Sequence, residues 1–442
     1  MPIKVAMVSL GCPKNQIDAE QMLYSLQHHG CEIVNEEAQA DAIIINTCGF
    51  IESAKAEAIE NILEAARYKQ TGSLKALIVT GCLAERYKDD ITEEIKEVDL
   101  VVGIGSNKNI AELVKKAVKG ECENSYGKKE DLEMGKERIL GSYPFSTYIK
   151  IAEGCDNCCT YCAIPKIRGR MRSRTIEDVV REARVLAQKG VKELIVVAQD
   201  TTAYGEDIYG ESKLPELLRE LCKIDGLYWI RTLYTYPERI TDELLEVINS
   251  EEKLVKYLDI PLQHVNADIL KRMNRKGDTA HLTELVKRIR EKVQNVKIRT
   301  TFITGFPGET DEQFNELCEF VKENKFDKLG CFTYSAEEGT MAAEFEDQID
   351  EQTKQDRLDI IMREQMTISE QKLIEMQGKT VTVLIEGYDS FIRCYYGRSE
   401  FDAPEIDGKV FFTTPKPLKI GDFVKAQIFD SIEYDLLGEL VE

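Results

Sequence analysis

Apolar and polar positions follow three different rhythms along the chain. Up to residue 118, apolar runs at 5–10, 42–46, 76–80 and 100–102 are separated by helical patterns at 18–29, 52–68 and 110–118. Strand–helix alternation of this kind predicts a parallel sheet covered on both faces. Residues 119–141, rich in Gly, Lys and Glu, predict a linker. From 142 to 377 the alternation resumes for six rounds, with strands at 148–152, 194–198, 229–233, 257–260, 298–303 and 329–334. Six such units suit an open, partial (βα)6 barrel of TIM type, whose working loops lie at the strands' C-terminal ends. A long helical stretch at 351–376 leaves it. From 378 to 442 short β runs are broken by turn signals such as Asp407-Gly408, which predicts a small antiparallel β-barrel. The expectation is an α/β protein of three domains, at 1–118, 142–377 and 378–442.

Composition narrows the setting. A chain of 442 residues is too long for one ordinary core. It has 43% hydrophobic and 31% charged residues, and no apolar run near the roughly 20 residues that span a bilayer. The start, MPIKVAMVSLG, is too short and strand-like for a secretory signal, so a cytoplasmic protein is expected. A net charge of −21 repels polyanions and attracts basic proteins.

Thirteen cysteines change the picture. Structural disulfides rarely persist in the cytosol, where clustered cysteines more often bind metal or do catalysis. His28, His29, His264 and His281 are too scattered to form a site, and thiolates without imidazoles select zinc or iron–sulfur clusters. Cys155, Cys159 and Cys162 lie in one loop after the first barrel strand, in a Cys-x-x-x-Cys-x-x-Cys spacing. Three thiolates hold three irons of a [4Fe–4S] cube and leave the fourth open to a reacting partner. The plain alternative is a zinc knuckle that takes a ligand from elsewhere, and Cys158 inside the triplet reads as a spare. Cys12, Cys48 and Cys82 each follow a predicted parallel strand, 36 and 34 residues apart, close to one βαβ step. Loops at the carboxyl ends of such strands line a common crevice, so the three converge as a second cluster site unless they are merely buried small hydrophobes. Cys31, Cys122, Cys222, Cys318, Cys331 and Cys394 show no ligand spacing and read as core. Gly103-Ile-Gly105 lacks the third glycine of a dinucleotide fingerprint and reads as a turn.

The Cys155–Cys162 loop in this barrel context resembles the radical S-adenosylmethionine (SAM) superfamily. With Cys12, Cys48, Cys82 and a terminal β-barrel, the chain resembles the methylthiotransferases, whose layout is a cluster domain, a radical SAM core and a TRAM domain. SLGCPKN (9–15), NTCGFIESAK (46–55), KIAEGCDN (150–157), AQDTTAYG (198–205), YLDIPLQH (257–264) and RTTFITGFPGET (299–310) resemble the RimO branch. That likeness implies methylthiolation of the β-carbon of an aspartate in a small-subunit ribosomal protein. It implies two [4Fe–4S] clusters, SAM and an external electron donor. One electron would cleave SAM to methionine and a 5′-deoxyadenosyl radical, which takes a substrate hydrogen, while the second cluster supplies sulfur. The absence of an acid–base dyad in the sequence agrees with cofactor-borne chemistry.

Several barrel-loop residues are candidates for SAM contacts by position: Tyr161 (against the adenine), Gln199, Asp200, Tyr204, Gln263, His264, Gly305, Gly308 and Glu309. A structural turn role is the alternative for each. Residues 375–442 carry 13 Asp/Glu against 7 Lys/Arg, the wrong sign for binding tRNA phosphates and the right one for a basic protein. Glu400, Asp402, Glu405 and Asp407 are candidates for a partner-facing surface. Arg168, Arg170, Arg172 and Arg174 read as a solvated face, with contact to SAM, substrate or ribosomal RNA as the alternatives. The alternatives are a tRNA adenosine methylthiotransferase, which shares every cluster ligand, and a non-catalytic iron–sulfur sensor or sulfur carrier.

Overall fold

The computed structural model describes residues 1–72, 74–141 and 143–441, so the expected domain edge at 142 lies outside the described residues. Five parallel strands open the chain: β1 (Lys4–Ser9), β2 (Glu32–Ile33), β3 (Ala42–Thr47), β4 (Ala76–Gly81) and β5 (Leu100–Val101). Their order is β2-β1-β3-β4-β5. β3 and β4 are buried at every position, which is why they read as unbroken apolar runs. Alternate side chains feed two cores, with Ile43, Ile45, Leu77 and Val79 on one face and Ile44 and Ile78 on the other. The order reverses between β1 and β3, and a crevice at the strands' carboxyl ends follows from that reversal.

The second unit has six long parallel strands and one short antiparallel pair. They are β6 (Ser146–Lys150), the pair β7 (Ala152–Glu153) and β8 (Arg172–Ser173), β9 (Glu193–Val197), β10 (Trp229–Thr232), β11 (Tyr257–Gln263), β12 (Lys297–Thr304) and β13 (Lys328–Thr333). The long strands form two arcs, β10-β9-β6 and β11-β12-β13. A bridge between Ile230 and Leu254 and a bond from Thr235 N to Asp259 O (2.9 Å) join them into an open barrel. Its outer helices start on Thr175, Thr241, Asp278 and Thr310, whose side chains cap free backbone amides.

Helix Glu351–Ile374 leads to a closed barrel of β14 (Thr380–Asp389), β15 (Cys394–Ser399), β16 (Val410–Thr413), β17 (Phe423–Ile432) and β18 (Asp435–Leu440). All pairs are antiparallel except β16 with β18, where a parallel register closes the ring. The three units share one core along the axis of the open barrel. Tyr148, Ile195, Val197, Trp229, Leu233 and Tyr257 meet Ile17 from above, and Leu384 and Ala403 from below.

The lower seam is ionic as well as apolar. Arg398 of the closed barrel pairs with Glu193 (2.5 Å) and Glu386 (2.6 Å). Lys328 pairs with Asp402 (2.8 Å), and Tyr257 OH donates to Asp407 (2.7 Å). Asp402 and Asp407 were expected on a partner-facing surface; they neutralise and bond groups of the open barrel instead.

Candidate active site

Each N-terminal cysteine begins where a strand ends. Cys12 immediately precedes helix Pro13–His28, Cys48 follows β3, and Cys82 starts the short helix Cys82–Arg86 after β4. Two glycines let these turns approach. A methyl carbon on Gly11 (φ +87°) would lie 2.6 Å from Cys48 Cβ, and one on Gly81 (φ +93°) would lie 2.4 Å from Thr47 O. Asn15 Nδ2 donates to Leu10 O (2.7 Å), Thr47 O (3.2 Å) and Asn46 O (3.3 Å), tying the ends of β1 and β3 together. Asn46 Nδ2 answers by donating to Asn15 O (2.8 Å). The three thiols lie close enough that Cys12 and Cys48 both add electrostatically to the burial that pushes Cys82 up to about 12.

The second triplet sits on the loop between β7 and β8. Gly154 (φ +80°) passes so close to Arg170 that a methyl carbon would lie 2.1 Å from its carbonyl oxygen. Cys155 N donates to Gly169 O (3.2 Å), and Cys162 N donates to Cys159 O (3.0 Å). Thr160 anchors the loop through Arg272 O (2.8 Å). Tyr236 OH lies 3.6 Å from Cys159 Sγ. Burial pushes the Cys155 and Cys162 thiols up to about 12, and it is the thiolate that a metal binds. Among the described residues, no three Cys, His, Asp or Glu side chains crowd one point closely enough for a single ion. A four-iron group takes each thiolate on a different iron, so its ligands need not meet at one point.

The triplets are neighbours. Cys82 packs against Ala163, which directly follows Cys162, and against Ile167 of the next helix, Ile164–Arg168. At that helix's end Arg168 is buried. It donates to Cys82 Sγ (3.2 Å), Asn15 Oδ1 (3.1 Å), Asp18 Oδ2 (2.6 Å) and Glu153 Oε2 (3.2 Å). Lys150 joins from β6, pairing with Asp18 (2.5 Å) and Glu153 (2.6 Å). Burial alone would raise the Glu153 carboxyl, but Lys150 and Arg168 outweigh it and hold it at about 2. Arg174 is also buried, paired with Asp178 (2.7 Å) and Glu182 (2.5 Å). The basic run expected as a solvated face thus turns two of its four arginines inward.

The other expected residues divide. Gln199 Nε2 donates to Glu153 Oε1 (2.6 Å), leaving its own buried Oε1 without a partner among the described residues. Asp200 is spent on its loop: Asn157 Nδ2 (2.8 Å), Arg239 (3.2 Å), Thr202 Oγ1 (2.6 Å) and Ala203 N (3.2 Å) all bind it. Tyr161 is half-buried near Arg275, whose guanidinium also lies 4.1 Å over the Tyr236 ring. Gln263 takes a left-handed backbone (φ +71°) at a bulge between β11 and β12. The space beside Gly305 is filled by Lys354, whose Cγ would lie 2.2 Å from an added methyl. His264 is fully buried; its Nδ1 accepts from Asn266 N (3.1 Å) and its Nε2 lies 3.8 Å from Glu309. Tyr204 is buried under the barrel helices. Of the six cysteines read as core, Cys31, Cys222, Cys318 and Cys331 are buried, whereas Cys122 is exposed and Cys394 half-buried.

Sequence reasoning missed Asn15, Asp18, Lys150, Glu153 and Arg168. The local hint was charged residues inside otherwise apolar strands, as at Lys150 and Glu153.

Residues 149–321 match the family model of the Radical SAM superfamily, and residues 378–441 that of the TRAM domain. Residues 4–103 match the model described as Uncharacterized protein family UPF0004. The fold and the cysteine loop therefore define a radical SAM enzyme with a C-terminal TRAM barrel. The chain is 51% identical to the ribosomal protein uS12 methylthiotransferase RimO of Thermoanaerobacter sp. strain X514, over 98% of this chain and 99% of that one. It is 48% identical to the protein of the same name from Desulforamulus reducens, over 99% of each. The chain belongs to the RimO methylthiotransferase family and is a transferase. Among solved structures, the radical SAM methyltransferase TsrM of Kitasatospora setae shares the fold, at TM-score 0.55 and 14% identity over 75% of each chain. That structure holds cobalamin and a [4Fe-4S] cluster. The cobalamin-dependent enzyme OxsB superposes at TM-score 0.50 and 11% identity, over 83% of this chain and 58% of that one. Among the described residues, no helix is long and apolar enough to cross a membrane.

Proposed function

We propose that this chain methylthiolates the β-carbon of an aspartate in ribosomal protein uS12, the substrate in its relatives' name. Cys155, Cys159 and Cys162 would hold one [4Fe–4S] cluster with an open iron for SAM, and Cys12, Cys48 and Cys82 a second. When bound, these groups supply the one-electron chemistry and the sulfur, with electrons from an external reductant. The observation that carries the reading is the adjacency of the two cysteine triplets, joined by Cys82, helix Ile164–Arg168 and the Asp18–Lys150–Glu153 network.

The polypeptide's part is positioning. Gly154 and the Asn157–Asp200–Arg239 bonds hold the Cys155 loop, and Gln199 is oriented through Glu153 with one amide oxygen free for a ligand. Tyr161 and Gln263 border the same strand ends as further SAM contacts. Gly305 shapes its loop around Lys354. The domain plan of 1–118, 142–377 and 378–442 assigns the second cluster, the SAM chemistry and the partner contact in turn. The cytoplasm, where such a substrate is made, is the proposed location, and net acidity disfavours tRNA as substrate.

The test incubates anaerobically reconstituted enzyme with SAM, a low-potential reductant and either purified uS12 or tRNA. A methylthio group on one aspartate of uS12, read by mass spectrometry, is expected. Modified adenosine in tRNA with unmodified protein would overturn the assignment.

A further inference from the structure

We propose that Arg168, buried between the two cysteine triplets and hydrogen-bonded to Cys82 Sγ, sets the reduction potential of the group held by Cys12, Cys48 and Cys82. The inference rests on the ligand assignment proposed above.

Arg168 is 2% exposed, and its fork points in two directions at once. Nη1 meets Asp18 Oδ2 (2.6 Å) and Glu153 Oε2 (3.2 Å), whereas Nη2 meets Cys82 Sγ (3.2 Å) and Asn15 Oδ1 (3.1 Å). Charge neutrality does not require the sulfur contact. Lys150 and Arg168 already pair with Asp18 and Glu153, and buried Lys14 adds a third positive charge within electrostatic reach of Glu153 and Cys12, all in a site closed to water. A guanidinium that served only this network would have no need of a thiol. Among the described residues, no other arginine or lysine is hydrogen-bonded to a cysteine of either triplet. At the other triplet the sulfur contact comes from a neutral phenol, Tyr236, at 3.6 Å from Cys159 Sγ.

The physical consequence has a sign. A donor and a positive charge beside a metal-bound sulfur stabilise the more electron-rich state, so they raise the reduction potential. Lysine in place of arginine keeps the charge but is a single point donor, so it cannot serve Asp18, Glu153, Asn15 and Cys82 together.

The experiment uses the full chain carrying Cys155→Ala, Cys159→Ala and Cys162→Ala, which leaves one cluster to observe. Its electron paramagnetic resonance signal is followed through a dithionite titration. Arg168→Met should lower the potential so that the oxidised-to-reduced ratio at fixed potential shifts at least tenfold, about 59 mV for one electron. Arg168→Lys should recover part of that shift. Arg170→Gln, at an exposed neighbour, should leave the potential unchanged. An unshifted potential in Arg168→Met with unaltered iron content overturns the proposal, as does an equal drop from Arg170→Gln. Should the methionine variant assemble no cluster, Arg168→Lys decides by the same criterion. If no cluster assembles with Arg168 intact, the ligand assignment falls first, and this inference falls with it.

Discussion

At Cys158 the backbone is left-handed (φ +50°), its carbonyl accepts Asn274 Nδ2 at 3.0 Å, and its side chain is exposed. Cys158 is thus the exposed member of the loop's four cysteines, while Cys155, Cys159 and Cys162 are half-buried. Cys158→Ala should leave iron content and reductive SAM cleavage intact. Alanine at Cys155, Cys159 or Cys162 should abolish cleavage, whereas alanine at Cys12, Cys48 or Cys82 should spare cleavage and stop methylthio transfer. Counting iron, sulfide and 5′-deoxyadenosine separates these outcomes. A second residue gives a pH signature. Burial, with Arg357 adding to it, depresses His264 to about 3. The unfolded chain then binds the extra proton first, so the His264 contribution to stability is lost as pH falls from about 6.5 toward 3, approaching about 1.4 kcal/mol per unit. The adjacent Glu309, pushed up to about 7 by burial, opposes it above about pH 4.5. Denaturant unfolding of wild type and His264→Gln across that window should show the slope reduced in the variant. The two cysteine triplets proposed as ligands could be picked out because spacing and strand ends are local properties. Arg168 was not, because a basic run looks the same in water as against Asp18, a residue 150 positions away in the chain.

Among the elements, strands were legible wherever burial is continuous, as in β3 and β4. β2 was missed because its two residues, Glu32 and Ile33, are exposed and half-buried, whereas the equally short β5 is buried at both positions and shows as an apolar run. The parallel pairing of β16 with β18 is also invisible in a pattern of alternation, which is the same for either direction. How a strand hands over to its cysteine is decided by glycine. Gly81 sits at φ 93°, ψ −160°, a region that side chains avoid, with Thr47 O 2.4 Å from where a methyl would go. Gly81→Ala should cost about 3 kcal/mol or more from backbone strain and overpacking together. The damage should be local: iron at the Cys12–Cys48–Cys82 site is lost while SAM cleavage persists. Full loss of cleavage would mean that β4 and the Cys155 loop form one cooperative unit.

For the whole molecule, charge has to be sorted by where it lies before it predicts a partner. The closed barrel's excess of acid remains, but Asp402 and Asp407 face Lys328 and Tyr257 across the seam, where they stabilise the join to the open barrel. Reversing them to lysine would leave cations opposed to Lys328 and Arg299, a stability defect uninformative about recognition. The acids free to meet a basic protein lie elsewhere. Asp430, Glu433 and Glu439 are exposed on β17, β18 and their turn, beside Phe429 (55% exposed), Ile432 (59%) and Tyr434 (47%). Apolar anchors ringed by acid suit a Lys/Arg-rich surface better than a phosphate backbone. The triple reversal Asp430→Lys, Glu433→Lys, Glu439→Lys in the full chain should slow association with uS12 about tenfold or more at low salt. The gap from wild type should close as ionic strength rises and screening shortens to roughly 8 Å. SAM cleavage without substrate should be unchanged, since none of the three touches the cysteine loops. Stopped-flow binding at several salt concentrations reads this directly. Equal association rates at every concentration would show that these acids serve solubility alone.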